Sequence, residues 1–214
     1  MSRRRASELL CSVLALSAGA VGGCGQGTYA REYYILEATR QARPPETRGE
    51  ASLEVHRFNI NTAFASRNLV YRLGEFQYEP DYYRQFMIAP ATMITEETRH
   101  WLADSGLFKQ VLPPGSQVAP TYTLQGLITA LYGDFTDKAA PAAVMRIRFF
   151  LTQHKSGGDI VVFSQSYRMA TPLSGRTSLE LIDAFSKDLA EILTRLEADL
   201  TKSLADQTKG AGSS

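Results

Sequence analysis

Residues 145–151 read MRIRFFL, and this stretch decides the fold because apolar residues alternate along it with arginines or other side chains. An alternation of period two is typical of a β-strand with one buried face. The predicted buried face carries Met145, Ile147, Phe149 and Leu151. Arg146 and Arg148 fall on the opposite face, where we interpret them as solvated charges. This strand therefore belongs to a sheet with one face towards a core and the other towards water.

The flanking sequence extends the strand into an antiparallel meander. The preceding stretch places apolar or small residues on one face at Tyr122, Leu124, Gly126, Ile128 and Ala130. The turn sequence KSGG at 155–158 precedes a third strand, whose predicted inner face is Val161, Phe163, Tyr167 and Met169.

A long amphipathic helix is predicted from about Ser178 to Leu204. Thr177 or Ser178 is a suitable N-cap, and Glu180 in the first turn favours the helix dipole. The predicted apolar stripe is Leu179, Ile182, Phe185, Leu189, Ile192, Leu193, Leu196 and Leu200. The stripe predicts core packing, and its outer end at Leu200 and Leu204 could reach another subunit or a lipid.

The first half of the sequence predicts shorter elements around one helix. Strands are expected at 33–36 and 53–57, and a hairpin at 69–73 and 76–78. Pro90 suits the first turn of a helix that ends near Ser105, with Gly106 in the left-handed conformation and a short strand at 107–111. The fold class is therefore α+β, with a mixed, largely antiparallel sheet and two helices packed on one face.

The amino terminus has the anatomy of a secretory leader. Three arginines at 3–5 precede an apolar run, and Gly22 and Gly23 precede Cys24. The apolar run is shorter than the ~20 residues of a spanning helix. This pattern resembles the lipobox of bacterial lipoproteins, in which the cysteine receives a diacylglyceryl group and, after cleavage, an N-acyl group such as palmitate. A plain secretory signal with a chance cysteine and a short membrane anchor are the alternatives.

The bulk composition bounds the function of the mature chain. Cleavage before Cys24 leaves 191 residues, enough for one domain. The whole chain has a formal net charge of +1, and the leader contributes +2 through three arginines and Glu8. The net charge of the mature chain is therefore about −1. This balance argues against a nucleic-acid binder. The only cysteines are Cys11 and Cys24, which excludes a disulfide in the mature chain. We divide the chain into a signal peptide (1–23), an acylated tether (24–31), one domain (32–206) and a disordered tail (207–214).

No familiar catalytic or metal-binding motif is present in the sequence. The nucleophile elbow, the phosphate-binding loop, the zinc-protease motif and the dinucleotide fingerprint are all missing. His56, His100 and His154 lack metal-type spacing, and Glu96 and Glu97 are adjacent on a helix, so they do not face each other. We therefore predict that the protein is not an enzyme and needs no cofactor or metal beyond the acyl groups on Cys24.

Three runs of sequence are notable in their order and spacing: RNLVYR at 67–72, YYRQF at 82–86 and WLADSGLF at 101–108. Taken in order, they resemble the ABC-type transport auxiliary lipoproteins, including their PqiC-like outer-membrane members. Many members carry a tryptophan near the start of the first helix, whereas the only tryptophan here is Trp101. The resemblance implies a fold similar to the amino-terminal domain of TolB. It also implies a non-enzymatic lipoprotein that serves an ABC transporter, typically an MCE-type system that moves lipids or other hydrophobic molecules across the Gram-negative envelope.

The residues leave two interpretations of an aromatic cluster. Tyr78, Tyr82, Tyr83 and Phe86 are expected in a loop before the first helix. They pack against the sheet edge, or they form a docking surface for the periplasmic component of the transporter. Trp101 is expected to be buried between the first helix and the sheet.

The functional hypothesis is a tethered docking module in the outer membrane, facing the periplasm. Gly25 follows the cysteine, where aspartate would resemble an inner-membrane retention signal. The expected partners are the transporter's periplasmic component and, through Cys24, membrane lipid; a homo-oligomer is possible. The alternative is a stand-alone structural or envelope-assembly lipoprotein of the same fold.

Overall fold

The computed structural model describes residues 30–41 and 48–211 of the chain. Cys24, the leader and most of the tether lie outside these residues. The order of elements is β1 (Glu32–Tyr34), β2 (Ser52–Val55), β3 (Asn59–Ile60), a 3-10 turn (Thr62–Phe64), β4 (Asn68–Arg72), β5 (Tyr78–Phe86), α1 (Pro90–Asp104), β6 (Gln110–Leu112), β7 (Tyr122–Asp134), β8 (Ala142–Gln153), β9 (Ile160–Pro172) and α2 (Ser178–Ala211). Among the described helices, none is long and apolar enough to cross a membrane.

The centre of the sheet is the predicted meander. β7 pairs with β8 and β8 pairs with β9, both antiparallel and along almost their whole lengths. Met145, Ile147, Phe149 and Leu151 are fully buried, as the alternation in MRIRFFL predicts. Gly126 on β7 is needed for close packing, because a Cβ there would lie 2.6 Å from the Phe58 ring.

The other edge of β7 holds three short strands in succession. β2, β3 and β4 each pair with β7 in parallel, at Tyr122, at Leu127 and at Gly133 respectively. Beyond them, β6 extends the sheet next to β2, whereas β5 and then β1 extend it next to β4. The nine described strands therefore form one mixed sheet, in agreement with the predicted α+β class.

Both helices contribute to the same hydrophobic core. Pro90 stands in the first turn of α1, and Gly106 follows the helix with a φ of 73°, as expected. At the start of α2, Thr177 Oγ1 accepts from the Glu180 backbone N–H, while Glu180 Oε2 accepts from the Thr177 backbone N–H. This reciprocal pair is a capping box, which fixes the amino terminus of α2.

Five predictions about local structure are wrong. A bulge between Ile128 and Ala130 turns Ala130 to the face opposite its predicted one, where it pairs with Arg146. Val161 is exposed because a bulge at Leu151 and Thr152 inserts Val162, which turns inward in its place. Leu179 is 70% exposed, and Leu181 takes the buried position in the first turn of α2. The outer end of α2 packs on the domain itself, because Leu200 is fully buried and Leu204 lies against the core. The helix also continues to Ala211, so residues 207–211 of the predicted disordered tail are helical.

Candidate functional site

The predicted aromatic loop is a β-strand. Residues 78–86 form β5, which pairs with β4 on one side and with β1 on the other. The strand separates the four aromatic residues of the predicted cluster into three environments. Phe86 is only 2% exposed and belongs to the core, so its proposed role in docking is wrong.

A bulge brings Tyr82 and Tyr83 to the surface together. Asn68 pairs with Gln85, but the next residue of β4, Leu69, pairs with Asp81, so residues 82–84 are inserted between them. Asp81 Oδ1 accepts from the backbone N–H groups of Tyr83 and Arg84, at 2.9 and 3.0 Å. Such bulges re-aim side chains. Tyr82 is 69% exposed and Tyr83 is 50% exposed.

The two tyrosines belong to a larger exposed apolar surface at this edge of the sheet. The pairing of β1 with β5 places Tyr33 opposite Gln85, and Met87 donates its backbone N–H to the Tyr34 carbonyl oxygen. Ile35, Met87 and Ile88, which follow the paired strands, are each about half exposed. We call this surface the edge patch; it comprises Tyr33, Ile35, Tyr82, Tyr83, Met87 and Ile88.

An ionic network borders the edge patch. Arg84 lies 3.3 Å from a carboxylate oxygen of Glu32 and 3.3 Å from one of Asp81, so it links β1 to the bulge. The side-chain amide of Gln85 donates to Asn68 and to the Tyr82 carbonyl oxygen. These contacts stabilise the bulge, so the exposed rings of Tyr82 and Tyr83 are attached to an ordered part of the sheet.

Tyr78 lies in a separate cluster on the open face of the sheet, which is the face away from the two helices. Its ring centroid is 5.5 Å from that of Tyr132 and 6.2 Å from that of Phe64, and Phe64 stacks on Tyr132 at 5.7 Å. The guanidinium of Arg72 lies 6.0 Å from the centre of the Tyr78 ring. Tyr78 is 44% exposed and contacts these rings, so it lies apart from the other exposed tyrosines and does not pack against the sheet edge.

Trp101 is buried and connects three segments of the chain. Its indole N–H donates to Glu197 on α2 at 2.8 Å, and the Arg40 guanidinium lies 5.3 Å from the centre of its ring. Arg40 in turn forms a two-pronged ion pair with Glu197. The indole N–H thus points to α2 and not to the sheet, so Trp101 joins α1, α2 and the segment after β1.

Several titratable groups of the described residues make contacts within the fold. His154 interacts with Thr123 and Asp159, and Glu97 accepts from the backbone N–H of Ala38. Burial raises the pKa of Tyr71 to about 12. No group of three or more metal-ligating side chains occurs among the residues that the structure describes.

Asp188 is the most strongly perturbed carboxyl group in the core. It is fully buried on α2, and its Oδ1 accepts from the Thr171 hydroxyl at 2.5 Å. The second oxygen, Oδ2, has no hydrogen-bond partner among the described residues. Burial raises the pKa of Asp188 to about 6, against the opposing effect of the Thr171 hydrogen bond.

Comparison with known proteins identifies a family. The family model described as ABC-type transport auxiliary lipoprotein component matches residues 33–197. The crystal structure of XCC0632 from Xanthomonas campestris, of family DUF330, has a TM-score of 0.71 and 18% identity over 83% of this chain and 99% of that one. The crystal structure of an uncharacterized protein has a TM-score of 0.62 and 13% identity over 80% and 99%. These likenesses show the shared fold. No functionally curated protein matches.

Proposed function

We propose, from the premise that the chain belongs to the family of ABC-type transport auxiliary lipoprotein components, that it is a non-enzymatic docking module of an ABC transporter. The edge patch is the observation that carries the proposal. It would bind the periplasmic component of the transporter.

The composition of the edge patch supports a docking role. Tyrosine and methionine are enriched in protein interfaces, and large aromatic residues frequently dominate the binding energy. Two adjacent tyrosines are exposed by a bulge that Asp81 and Arg84 stabilise. An edge of a sheet that keeps several half-exposed apolar side chains together is typical of an interaction site.

The finer part of the proposal concerns the membrane and the cargo. Acylation of Cys24 would tether the domain to the outer membrane, on its periplasmic side. The transporter would be an MCE-type system that moves lipids or other hydrophobic molecules. Residues 25–31 have a maximum reach of roughly 25 Å, which would keep the domain near the membrane surface.

Site-specific photocrosslinking in the native envelope tests this function. A photoreactive phenylalanine analogue replaces Tyr82, and crosslinked products are identified by mass spectrometry. We expect the periplasmic component of an ABC transporter. The matched control carries the analogue at Phe76, an 88% exposed aromatic residue in the turn of the same hairpin, and should give no such product.

A double substitution measures the strength of the contact. Because Tyr82 and Tyr83 are exposed, Tyr82→Ala with Tyr83→Ala should leave the melting temperature within a few degrees. The same variant should weaken capture of the purified partner by ~1–2 kcal/mol or more, whereas Phe76→Ala should not. Undiminished capture would remove the edge patch from the proposal. Crosslinks only to envelope-assembly proteins would favour the stand-alone structural role instead.

A further inference from the structure

The open face of the sheet carries two arginines directly opposite each other. Arg146 on β8 pairs in register with Arg168 on β9, and both side chains are exposed on the face away from the helices. Like charges that face each other across two strands destabilise a sheet. Within the described residues, neither guanidinium has a carboxylate within 4.0 Å.

Several other arginines of the described residues are matched with carboxylates. Arg40 pairs with Glu197, Arg72 with Asp134, and Arg99 with Glu96. Arg146 and Arg168 have no such carboxylate partner among the described residues, so two adjacent positive charges on the open face are available to one anion.

A hollow of about 330 Å³ lies beside the two arginines. One wall is the ring cluster of Phe64, Tyr78 and Tyr132, and no acidic residue lines the hollow. Val144, on the same open face, is only 2% exposed. The hollow thus joins a doubly cationic rim to an apolar and aromatic wall.

The geometry points to a binding site for a phosphate ester with a short apolar group, with the phosphate on Arg146 and Arg168 and the apolar part against the three rings. Guanidinium groups bind phosphate through two parallel hydrogen bonds, and a phosphate has enough oxygens for two such groups at once. The volume suits a headgroup and a few carbon atoms, near the lower limit of small-molecule sites. A lipid headgroup and a free phosphate ester share this chemistry.

Calorimetric titration of the full mature protein, purified in an uncharged detergent, tests the site. The probe is hexyl phosphate below its micellar range, and inorganic phosphate and hexanol are titrated separately. We expect saturable binding of hexyl phosphate, at least tenfold tighter than that of either fragment. Equal affinity for inorganic phosphate would overturn the role of the rings, and absence of saturable binding would overturn the site.

Arg148 provides a matched control. It lies two residues from Arg146 on the same strand and face, but it faces Ser166, donates to Ser164 at 3.2 Å and lies 4.9 Å from the centre of the Phe150 ring. Arg146→Gln with Arg168→Gln should weaken hexyl phosphate binding at least tenfold with an unchanged melting temperature. Arg148→Gln should change the affinity for hexyl phosphate less than twofold. Equal losses in the two proteins would indicate unspecific attraction and would contradict the site.

A second set of measurements distinguishes the sources of the phosphate and the alternative of a protein ligand. Vesicles with an anionic phospholipid should compete with hexyl phosphate if the site accepts a headgroup; a lack of competition would restrict it to free esters. If the double glutamine variant lost capture of the transporter component but kept hexyl phosphate binding, the face would be a protein interface and the proposal would be wrong. Because the titration needs no partner, the site and the proposed docking function can fail independently.

Discussion

Asp188 shows how a single buried residue can make stability depend on pH. Its pKa is about 6 in the folded protein, compared with a usual value of 3.8. The folded state therefore binds more protons than the unfolded state between these values, and this group lowers the free energy of unfolding as the pH rises from about 4 to 6. Well below pH 4 Asp188 is protonated in both the folded and the unfolded protein, so the destabilisation caused by burying its ionised carboxylate is absent.

Replacement of Asp188 by asparagine should remove this dependence. The unfolding free energy of Asp188→Asn minus that of the unsubstituted protein should be about 2 kcal/mol larger at pH 7 than at pH 4, because the amide never ionises. Urea denaturation at both pH values measures the difference. Asp183→Asn is the control: this exposed carboxylate pairs with Lys187 on the same helix, and such pairs contribute little. Parallel pH profiles for Asp188→Asn and the parent would contradict a raised pKa.

Trp101 is a second residue whose substitution has a predictable cost. Trp101→Ala should lower the free energy of unfolding by ~3–5 kcal/mol, because it leaves a cavity and removes one of the hydrogen-bond donors to Glu197. For a domain of this size, the melting temperature should fall by roughly 10 °C. Trp101→Phe retains most of the apolar contact and should cost less. Phe76→Ala, which removes an exposed ring, should leave the melting temperature unchanged. The same result for Trp101→Ala would place the indole outside the core.

At the scale of elements, the capping box of α2 determines where the longest helix begins. Thr177→Val preserves the shape of the side chain but removes the oxygen that accepts from Glu180, so it should lower the free energy of unfolding by ~1 kcal/mol. Thr194→Val is the matched control, because Thr194 lies on the exposed middle of the same helix and bonds only to Ala190. Thermal denaturation of the two variants compares them directly; equal losses would contradict a specific capping role.

The elements also show which parts of the fold can be predicted from sequence. β7, β8 and β9 are long enough for alternation to be visible, and α2 for a helical stripe. β3 contains two residues and β2 contains four, so their parallel pairing with β7 leaves no periodic signal. The bulges interrupt the period at Val162 and at residues 82–84, which explains the misassigned face of Val161 and the predicted loop at β5.

The candidate site illustrates the same limit. Sequence analysis singled out Tyr82 and Tyr83 as members of a dense group of four aromatic residues at 78–86. Sequence analysis could not distinguish these exposed tyrosines from the buried Phe86, because the burial of Phe86 depends on the pairing of β5 with β1, which places it opposite Tyr34. Nor could it match Arg146 with Arg168, because their register depends on the bulge between β8 and β9.

At the scale of the whole molecule, the docking proposal depends on the attachment of the domain to a membrane. If Cys24 is the acylated residue, Cys24→Ala should abolish incorporation of a fatty-acid analogue and leave either an uncleaved precursor or a soluble form. Cys11→Ala is the matched control, because Cys11 lies within the leader and should be removed with it, so labelling should persist. Fractionation of the labelled parent protein should place it with outer-membrane markers. Equal labelling of Cys24→Ala and the parent would contradict the anchor, and co-fractionation with inner-membrane markers would contradict the proposed location. Neither result would change the binding measured for the edge patch with purified protein, because that contact is made by β1 and β5 and not by the tether.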